Sequence, residues 1–127
     1  MMSKDSGIYW EVAMTIVHTV QGSLVRVAVK GDLDLKTAGP LRDALDKLMD
    51  RYRDRNLVLD LSEVGFVDSS GLGVILGRYR RLEEQGRAIA LTGVRPQVRS
   101  VLELAGVESI INITDAIRSW PETAAPN

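Results

Sequence analysis

Hydroxyl and carboxylate groups stand side by side in the stretch Asp68-Ser69-Ser70-Gly71. A strand-like apolar run precedes it and a helix-like run follows, so the serines stand where a helix is predicted to begin. A hydroxyl there can cap free backbone N–H groups, which stabilises a helix by about 1 kcal/mol. It can also carry a phosphate, because the unpaired N–H groups and the helix dipole favour an anion. The residues alone favour capping, since Ser and Asp are common caps.

Glycines follow these serines closely. Gly71 and Gly73 fall in the first turns of the predicted helix, although each glycine weakens a helix by about 1 kcal/mol relative to alanine. This cost indicates a use other than stability. We predict that both glycines leave bare backbone beside the serines, so that another protein can approach closely.

A second acidic segment, Asp32-Leu33-Asp34-Leu35-Lys36-Thr37, could supply oxygen ligands for Mg²⁺ together with Asp68. An aspartate pair followed by threonine is typical of aspartate-based phosphohydrolases, but Lys36 stands where that motif has Thr or Val. A receiver domain would need a lysine after a late strand, and the lysines are Lys4, Lys30, Lys36 and Lys47. A magnesium-dependent phosphohydrolase is therefore the less favoured alternative, because the charge-neutralising cation is missing.

Other catalytic arrangements fit the sequence poorly. The stretch around Ser69 lacks the G-x-S-x-G pattern of a serine hydrolase. The single histidine, His18, falls on a predicted edge strand, where an ordinary half-exposed residue is expected. Gly71-x-Gly73 is too short for a dinucleotide-binding or Walker loop. We predict no catalytic residue, no metal site and no cofactor.

The composition narrows the classes of protein further. The 127 residues suit one domain, and 16 basic against 17 acidic side chains leave no positive field for nucleic acid. The absence of cysteine excludes disulfides and cysteine zinc sites. No apolar run approaches the roughly 18 residues that span a bilayer, and the first ten residues do not resemble a signal peptide. We expect a soluble, cytoplasmic protein with no direct nucleic-acid or membrane partner.

Hydrophobic periodicity predicts the elements that position these groups. Alternation of apolar and polar residues over 12–20 and 24–29 predicts a β-hairpin. Apolar residues at helical spacing then predict the first helix, with Thr37 as its N-cap and Pro40 in its first turn. The apolar run 57–61 predicts a central strand buried on both faces. The later elements are a helix that ends at Gly86, a strand over 88–91, a helix that begins at Pro96, an edge strand over 110–113 and a short helix capped by Thr114.

This order predicts an α/β domain, in which strand-helix-strand units cross over right-handedly and place the later strands in parallel. Sites in such sheets lie beyond the carboxyl ends of the parallel strands. The segments Gly31–Thr37 and Gly65–Gly73 should meet there, and they carry all the carboxylates and hydroxyls considered above.

The stretch Val64–Arg81, with F-V-D-S-S-G-L-G-V-I-L-G-R-Y at its centre, resembles the signature of STAS domains, named for sulfate transporters and anti-sigma factor antagonists. The resemblance extends to G-D-L-D-x-x-T-A at Gly31–Ala38 and to P-x-V-x-x-x-L-x-x-x-G-V at Pro96–Val107. It implies an α/β fold with a mixed sheet of four to five strands, helices packed on it and an N-terminal β-hairpin. The domain is expected over 12–119, between flexible segments at 1–11 and 120–127.

Within that family the chain is most similar to antagonists of the sporulation anti-sigma factor. The resemblance implies that the unmodified protein binds an anti-sigma factor serine kinase and frees the sigma factor for transcription. The kinase would phosphorylate Ser69, and a PP2C-type phosphatase would reverse this. Alternatives are a stand-alone STAS module of a stress-signalling or lipid-transport assembly, or a module that binds nucleotide weakly.

On this model Ser69 is the phosphoacceptor, and the resemblance overrides the preference for capping. Asp68 orients the loop or meets the kinase's cations, while Asp32 and Asp34 form an acidic edge, with loop capping an equal option for Asp34. Helical spacing places Val74 and Arg78 away from the buried stripe. The partner surface is predicted to comprise Asp32, Asp34, Asp68, Ser70, Gly71, Leu72, Gly73, Val74 and Arg78.

Overall fold

The computed structural model describes the backbone of residues 6–11 and the full residues of 14–115. The predicted helix after Thr114 and the predicted tail from residue 120 lie outside these residues. The predicted flexible segment at 1–11 lies partly outside them.

One mixed sheet of six strands, in the order β1-β2-β3-β4-β5-β6, organises the fold. The pairs β1–β2 and β2–β3 are antiparallel, and the remaining pairs are parallel. The strands are β1 Ser6–Glu11, β2 Met14–Gln21, β3 Leu24–Lys30, β4 Asn56–Glu63, β5 Ile89–Thr92 and β6 Asn112–Thr114. The helices are α1 Leu35–Arg51, α2 Ser69–Glu84 and α3 Pro96–Leu104, followed by a 3₁₀ turn at Val107–Ser109. The predicted α/β class, the β2–β3 hairpin and the three helices are confirmed.

Strand β1 was not predicted, and it raises the strand count to six. Its backbone pairs with β2 from Ser6↔Thr19 to Glu11↔Met14, within the segment predicted to be flexible. An edge strand presents a row of unpaired N–H and C=O groups, and β1 covers this row on β2. The prediction for His18 is therefore wrong: β2 is an interior strand, and His18 is 1% exposed.

The core lies on one face of the sheet, beneath all three helices. Strand β4 is its centre, because Leu57, Leu59 and Leu61 are each at most 2% exposed. Right-handed crossovers between successive parallel strands place α1, α2 and α3 on this same face. The crossovers also bring the starts of α1 and α2 to the carboxyl edge of the sheet, where the candidate site lies.

Candidate functional site

The two segments predicted to meet at the carboxyl edge do so through backbone hydrogen bonds. Leu33 and Val67 form an isolated parallel bridge. The Leu33 N–H donates to the Phe66 carbonyl at 2.9 Å, and the Asp68 N–H donates to the Leu33 carbonyl at 3.0 Å. Because both bridged side chains are buried, the starts of α1 and α2 are held beside each other.

Ser69 is the first residue of α2, and its side chain is exposed. Asp68, not a serine, caps this helix: its Oδ1 accepts from the Ser70 N–H at 2.8 Å and the Gly71 N–H at 3.1 Å. Within the described part of the chain, the Ser69 hydroxyl has no hydrogen-bond partner. The Asp68 carboxylate therefore provides the cap that the serines were considered for. The Ser69 hydroxyl is exposed at the helix N-terminus and makes no hydrogen bond to the described residues. Ser70 is half-buried.

The two glycines after the serines differ in their surroundings. A Cβ on Gly71 would lie 2.5 Å from the Leu33 carbonyl oxygen and 2.6 Å from the Leu33 Cβ. Gly71 is therefore buried and lets α2 pack against the Leu33 segment, which corrects the prediction that it forms bare surface. At Gly73 a Cβ would meet nothing within 4 Å, so this exposed position does provide bare backbone.

The two aspartates of the first segment differ, because Asp34 caps a helix and Asp32 is an exposed carboxylate. Asp34 is the N-cap of α1, and its Oδ1 accepts from the Lys36 N–H at 2.9 Å and the Thr37 N–H at 3.2 Å. The Thr37 hydroxyl accepts from the Asp34 N–H at 2.9 Å and donates to the Asp32 carbonyl at 2.6 Å. The prediction of Thr37 as N-cap is corrected, because Thr37 completes a capping box three residues later. The Asp32 side chain is exposed.

Two residues predicted to face the partner instead lie between the helices. Val74 is 6% exposed and belongs to the core, and the Arg78 side chain is 11% exposed. Arg78 Nε lies 3.1 Å from Asp46 Oδ1 on α1, and the same oxygen accepts from Arg81 at 2.6 Å. Burial lowers the pKa of Arg78, and the Asp46 carboxylate opposes this effect. The prediction failed because α1 packs alongside α2 and widens its buried face; Leu72 is half-buried against the same core.

The sequence interpretation missed two exposed apolar side chains at this edge. Leu35, the first residue of α1, is 79% exposed, and Phe66 is 51% exposed. Each lies within two residues of the Leu33–Val67 bridge. A signal was present in the sequence, because both are large apolar residues that fall outside the predicted buried stripes. We call Leu35 and Phe66 the apolar pair.

Metal and membrane options find no support in the described residues. Among residues 6–11 and 14–115, no group of three or more His, Cys, Asp or Glu side chains could hold a metal ion. Asp34 and Asp68, which the magnesium alternative would use, each engage two backbone N–H groups. No helix in this part of the chain is long and apolar enough to cross a membrane.

The fold and the edge site define a STAS-type domain, and comparison with known families gives the same class. The family model described as "Mlab, STAS domain" matches residues 17–113. The chain therefore belongs to the STAS domain family.

Its relatives include regulators of sigma factors. It is 38% identical over 89 residues to an anti-sigma F factor antagonist of Paenibacillus polymyxa, a match that covers 70% of this chain and 76% of the relative. It is 26% identical over 102 residues to an anti-sigma-B factor antagonist of Staphylococcus aureus, covering 80% and 94% of the two chains.

Two solved structures share the fold. An anti-sigma factor antagonist from Mycobacterium paratuberculosis superimposes with a TM-score of 0.74 at 24% identity, over 94% of both chains. The antagonist SpoIIAA in its unphosphorylated form superimposes with a TM-score of 0.68 at 23% identity, over 90% of both chains.

Proposed function

We propose that this protein is an anti-sigma factor antagonist that phosphorylation of Ser69 switches off. One observation carries the proposal: the Ser69 hydroxyl is exposed at the start of α2 and makes no hydrogen bond to the described residues, while Asp68 performs the capping. A kinase can therefore modify Ser69 without removing a hydrogen bond that the fold needs. The antagonist relatives support the same function.

A phosphate on Ser69 would change the surface more than the fold. It adds a charge of about -1.5 to -2 at a helix N-terminus, where the helix dipole tolerates an anion. The new charge stands directly beside the Asp68 carboxylate. Against a partner carboxylate about 4 Å away, each charge pair would cost on the order of 4 kcal/mol at an effective dielectric near 20, before screening. Since about 1.4 kcal/mol corresponds to tenfold in affinity, one phosphate suffices to dissociate a micromolar complex.

The partner is a serine kinase that acts as an anti-sigma factor, and a PP2C-type phosphatase removes the phosphate. The antagonist itself is not an enzyme. Its docking surface comprises the apolar pair, the exposed Asp32 and the open backbone at Gly73, all at the edge that carries Ser69. Exposed aromatic and aliphatic side chains bordered by polar groups are the usual centre of a protein interface.

The proposal is tested by incubating the purified protein with ATP and its cognate anti-sigma factor kinase, followed by mass spectrometry. We expect one phosphate, located on Ser69. Ser69→Ala should remove it, while the matched control Ser70→Ala should retain it, because Ser70 is half-buried. A phosphate on Ser70 alone, or an unmodified wild-type protein, would overturn the assignment.

A further inference from the structure

A positively charged side chain from another loop reaches the carboxyl edge of the sheet. Arg95 is exposed and lies between β5 and α3, where it is the N-cap residue of that helix. Its Nε donates to the Ser62 carbonyl, near the end of β4, at 2.8 Å. A Cβ on Gly65 would lie 3.8 Å from Arg95 Nη1, so the guanidinium reaches the backbone immediately before Phe66. Arg95 therefore lies at the same edge as the apolar pair.

The loop that carries Arg95 packs tightly against this part of β4. Gly93 has a φ of +68°, and a Cβ there would lie 2.9 Å from both Asp60 Oδ1 and Ser62 Cβ. This position therefore requires glycine. Asp60 Oδ1 in turn accepts from the Ser62 N–H at 2.9 Å. Because Ser62 is held in this way, its carbonyl keeps the Arg95 guanidinium at a defined place on the edge.

Most of the hydrogen-bond donors of Arg95 are not used within the described chain. A guanidinium has five N–H donors, and the bond to Ser62 uses the one on Nε. Across residues 6–11 and 14–115, the two terminal nitrogens of Arg95 have no hydrogen-bond partner, and the side chain forms no ion pair. Arg95 therefore presents an oriented positive charge to solvent.

This charge does not serve the stability of α3. The Arg95 side chain makes no capping hydrogen bond, and a positive charge at a helix N-terminus opposes the helix dipole. The other two helices that begin at this edge are capped by carboxylates, those of Asp34 and Asp68. A surface residue that departs from a local rule of stability in this way points to a role in recognition.

We propose that Arg95 binds a carboxylate of the partner protein beside Phe66. The inference rests on the proposed function, because it takes the partner to be the anti-sigma factor kinase. The two terminal nitrogens of a guanidinium match the two oxygens of an Asp or Glu side chain, so the pair can form two parallel hydrogen bonds. The neighbouring apolar surface of Phe66 would exclude water from the pair, which strengthens it relative to a fully exposed ion pair.

The distribution of charge along the edge defines the chemistry of the partner further. The exposed carboxylate of Asp32 lies beside the start of α1, whereas Arg95 lies at the start of α3. A complementary surface must therefore carry a basic residue at one end and an acidic residue at the other, with an apolar centre between them. Such a pattern allows one orientation of docking and disfavours the reverse, because the reverse places like charges together.

Isothermal titration calorimetry of the full chain with the cognate anti-sigma factor kinase, over a range of NaCl concentrations, tests the proposal. Arg95→Ala should raise the dissociation constant about fivefold or more and make it less dependent on salt. Arg53→Ala is the matched control, because it removes the same charge from an exposed position at the opposite end of the parallel strands. It should change the dissociation constant by less than about twofold.

Arg95→Lys separates the geometry of the guanidinium from its charge. Lysine keeps the positive charge but cannot form the two parallel hydrogen bonds, so its dissociation constant should lie between those of the wild type and Arg95→Ala. If Arg95→Ala does not fold, Arg95→Lys carries the test alone, with an expected increase of about twofold or more.

Two results would contradict the proposal. One is an Arg95 variant that binds the kinase as tightly as Arg53→Ala. The other is a loss of affinity that keeps the salt dependence of the wild type, which would assign Arg95 to the structure of the loop. Either result leaves the proposed function intact if the kinase binds the wild type and phosphorylates Ser69. A wild-type protein that does not bind the kinase would overturn the proposed function, and this inference with it.

Discussion

The two ends of the parallel strands use polar groups in opposite ways. At the carboxyl edge Ser69 presents a hydroxyl without a partner in the described chain, beside the exposed apolar pair. At the amino edge Arg87 is 8% exposed, and its guanidinium donates to the carbonyls of Met49, Tyr52 and Arg55 at 3.1, 2.8 and 3.1 Å. Burial lowers the pKa of Arg87, yet its hydrogen bonds hold the end of α1 against β5. The amino edge is thus built for stability, whereas the carboxyl edge is the surface that we propose for recognition.

The largest effect should come from Arg87→Ala, which removes the guanidinium hydrogen bonds to the carbonyls of Met49, Tyr52 and Arg55 at a buried position. We expect the free energy of unfolding to fall by about 3 to 5 kcal/mol, measured by urea denaturation. Arg53→Ala is the matched control at the same end, because Arg53 is exposed, and it should change stability by less than about 0.5 kcal/mol. Equal losses for the two variants would refute the structural role of Arg87.

The next largest change in stability should distinguish Gly71 from Gly73, the two glycines of the carboxyl edge. Gly71→Ala places a Cβ against the Leu33 backbone and should lower the free energy of unfolding by about 2 kcal/mol. Gly73→Ala meets open space and should raise it by up to about 1 kcal/mol, because alanine favours a helix. The same denaturation curves measure both, and a neutral Gly71→Ala would show that the contact with Leu33 is loose.

The smallest expected change in stability distinguishes Asp68, which caps α2, from Ser69, which does not. Asp68→Ala removes the cap of α2 and should cost about 1 kcal/mol, whereas Asp68→Asn retains an accepting oxygen and should cost less. Ser69→Ala should change stability by less than about 0.5 kcal/mol, because its exposed hydroxyl makes no hydrogen bond to the described residues. Thermal unfolding of the three variants measures this difference. A loss for Ser69→Ala as large as that for Asp68→Ala would assign Ser69 to the fold instead of the switch.

Local patterns predicted most of the fold. The hairpin, the buried strand β4 and the helix that begins at Pro96 all follow from alternation, apolar runs and proline geometry over a few residues. Strands β5 and β6 were placed only one or two residues from their observed positions. Strand β1 was missed because the residues between it and β2, Val12 and Ala13, are not the Gly, Asn or Asp that mark a hairpin turn in a sequence.

The site was predicted less completely than the fold. The meeting of the two segments followed from the parallel topology, as the Leu33–Val67 bridge confirms. The burial of Val74 and Arg78 depends on how α1 packs against α2, and the spacing within α2 carries no information on that contact. The tight approach of Gly71 to Leu33 likewise depends on a segment more than thirty residues away in sequence.

The central claim is that one phosphate on Ser69 controls partner binding, and the affinity of the anti-sigma kinase tests it most directly. Isothermal titration calorimetry should compare the unmodified and the phosphorylated protein, with Ser69→Ala as a control that the kinase cannot modify. We predict that phosphorylation raises the dissociation constant at least thirtyfold, which corresponds to about 2 kcal/mol of binding free energy. Ser69→Ala should bind as tightly as the unmodified protein. Equal dissociation constants for the phosphorylated and unmodified forms would contradict the account.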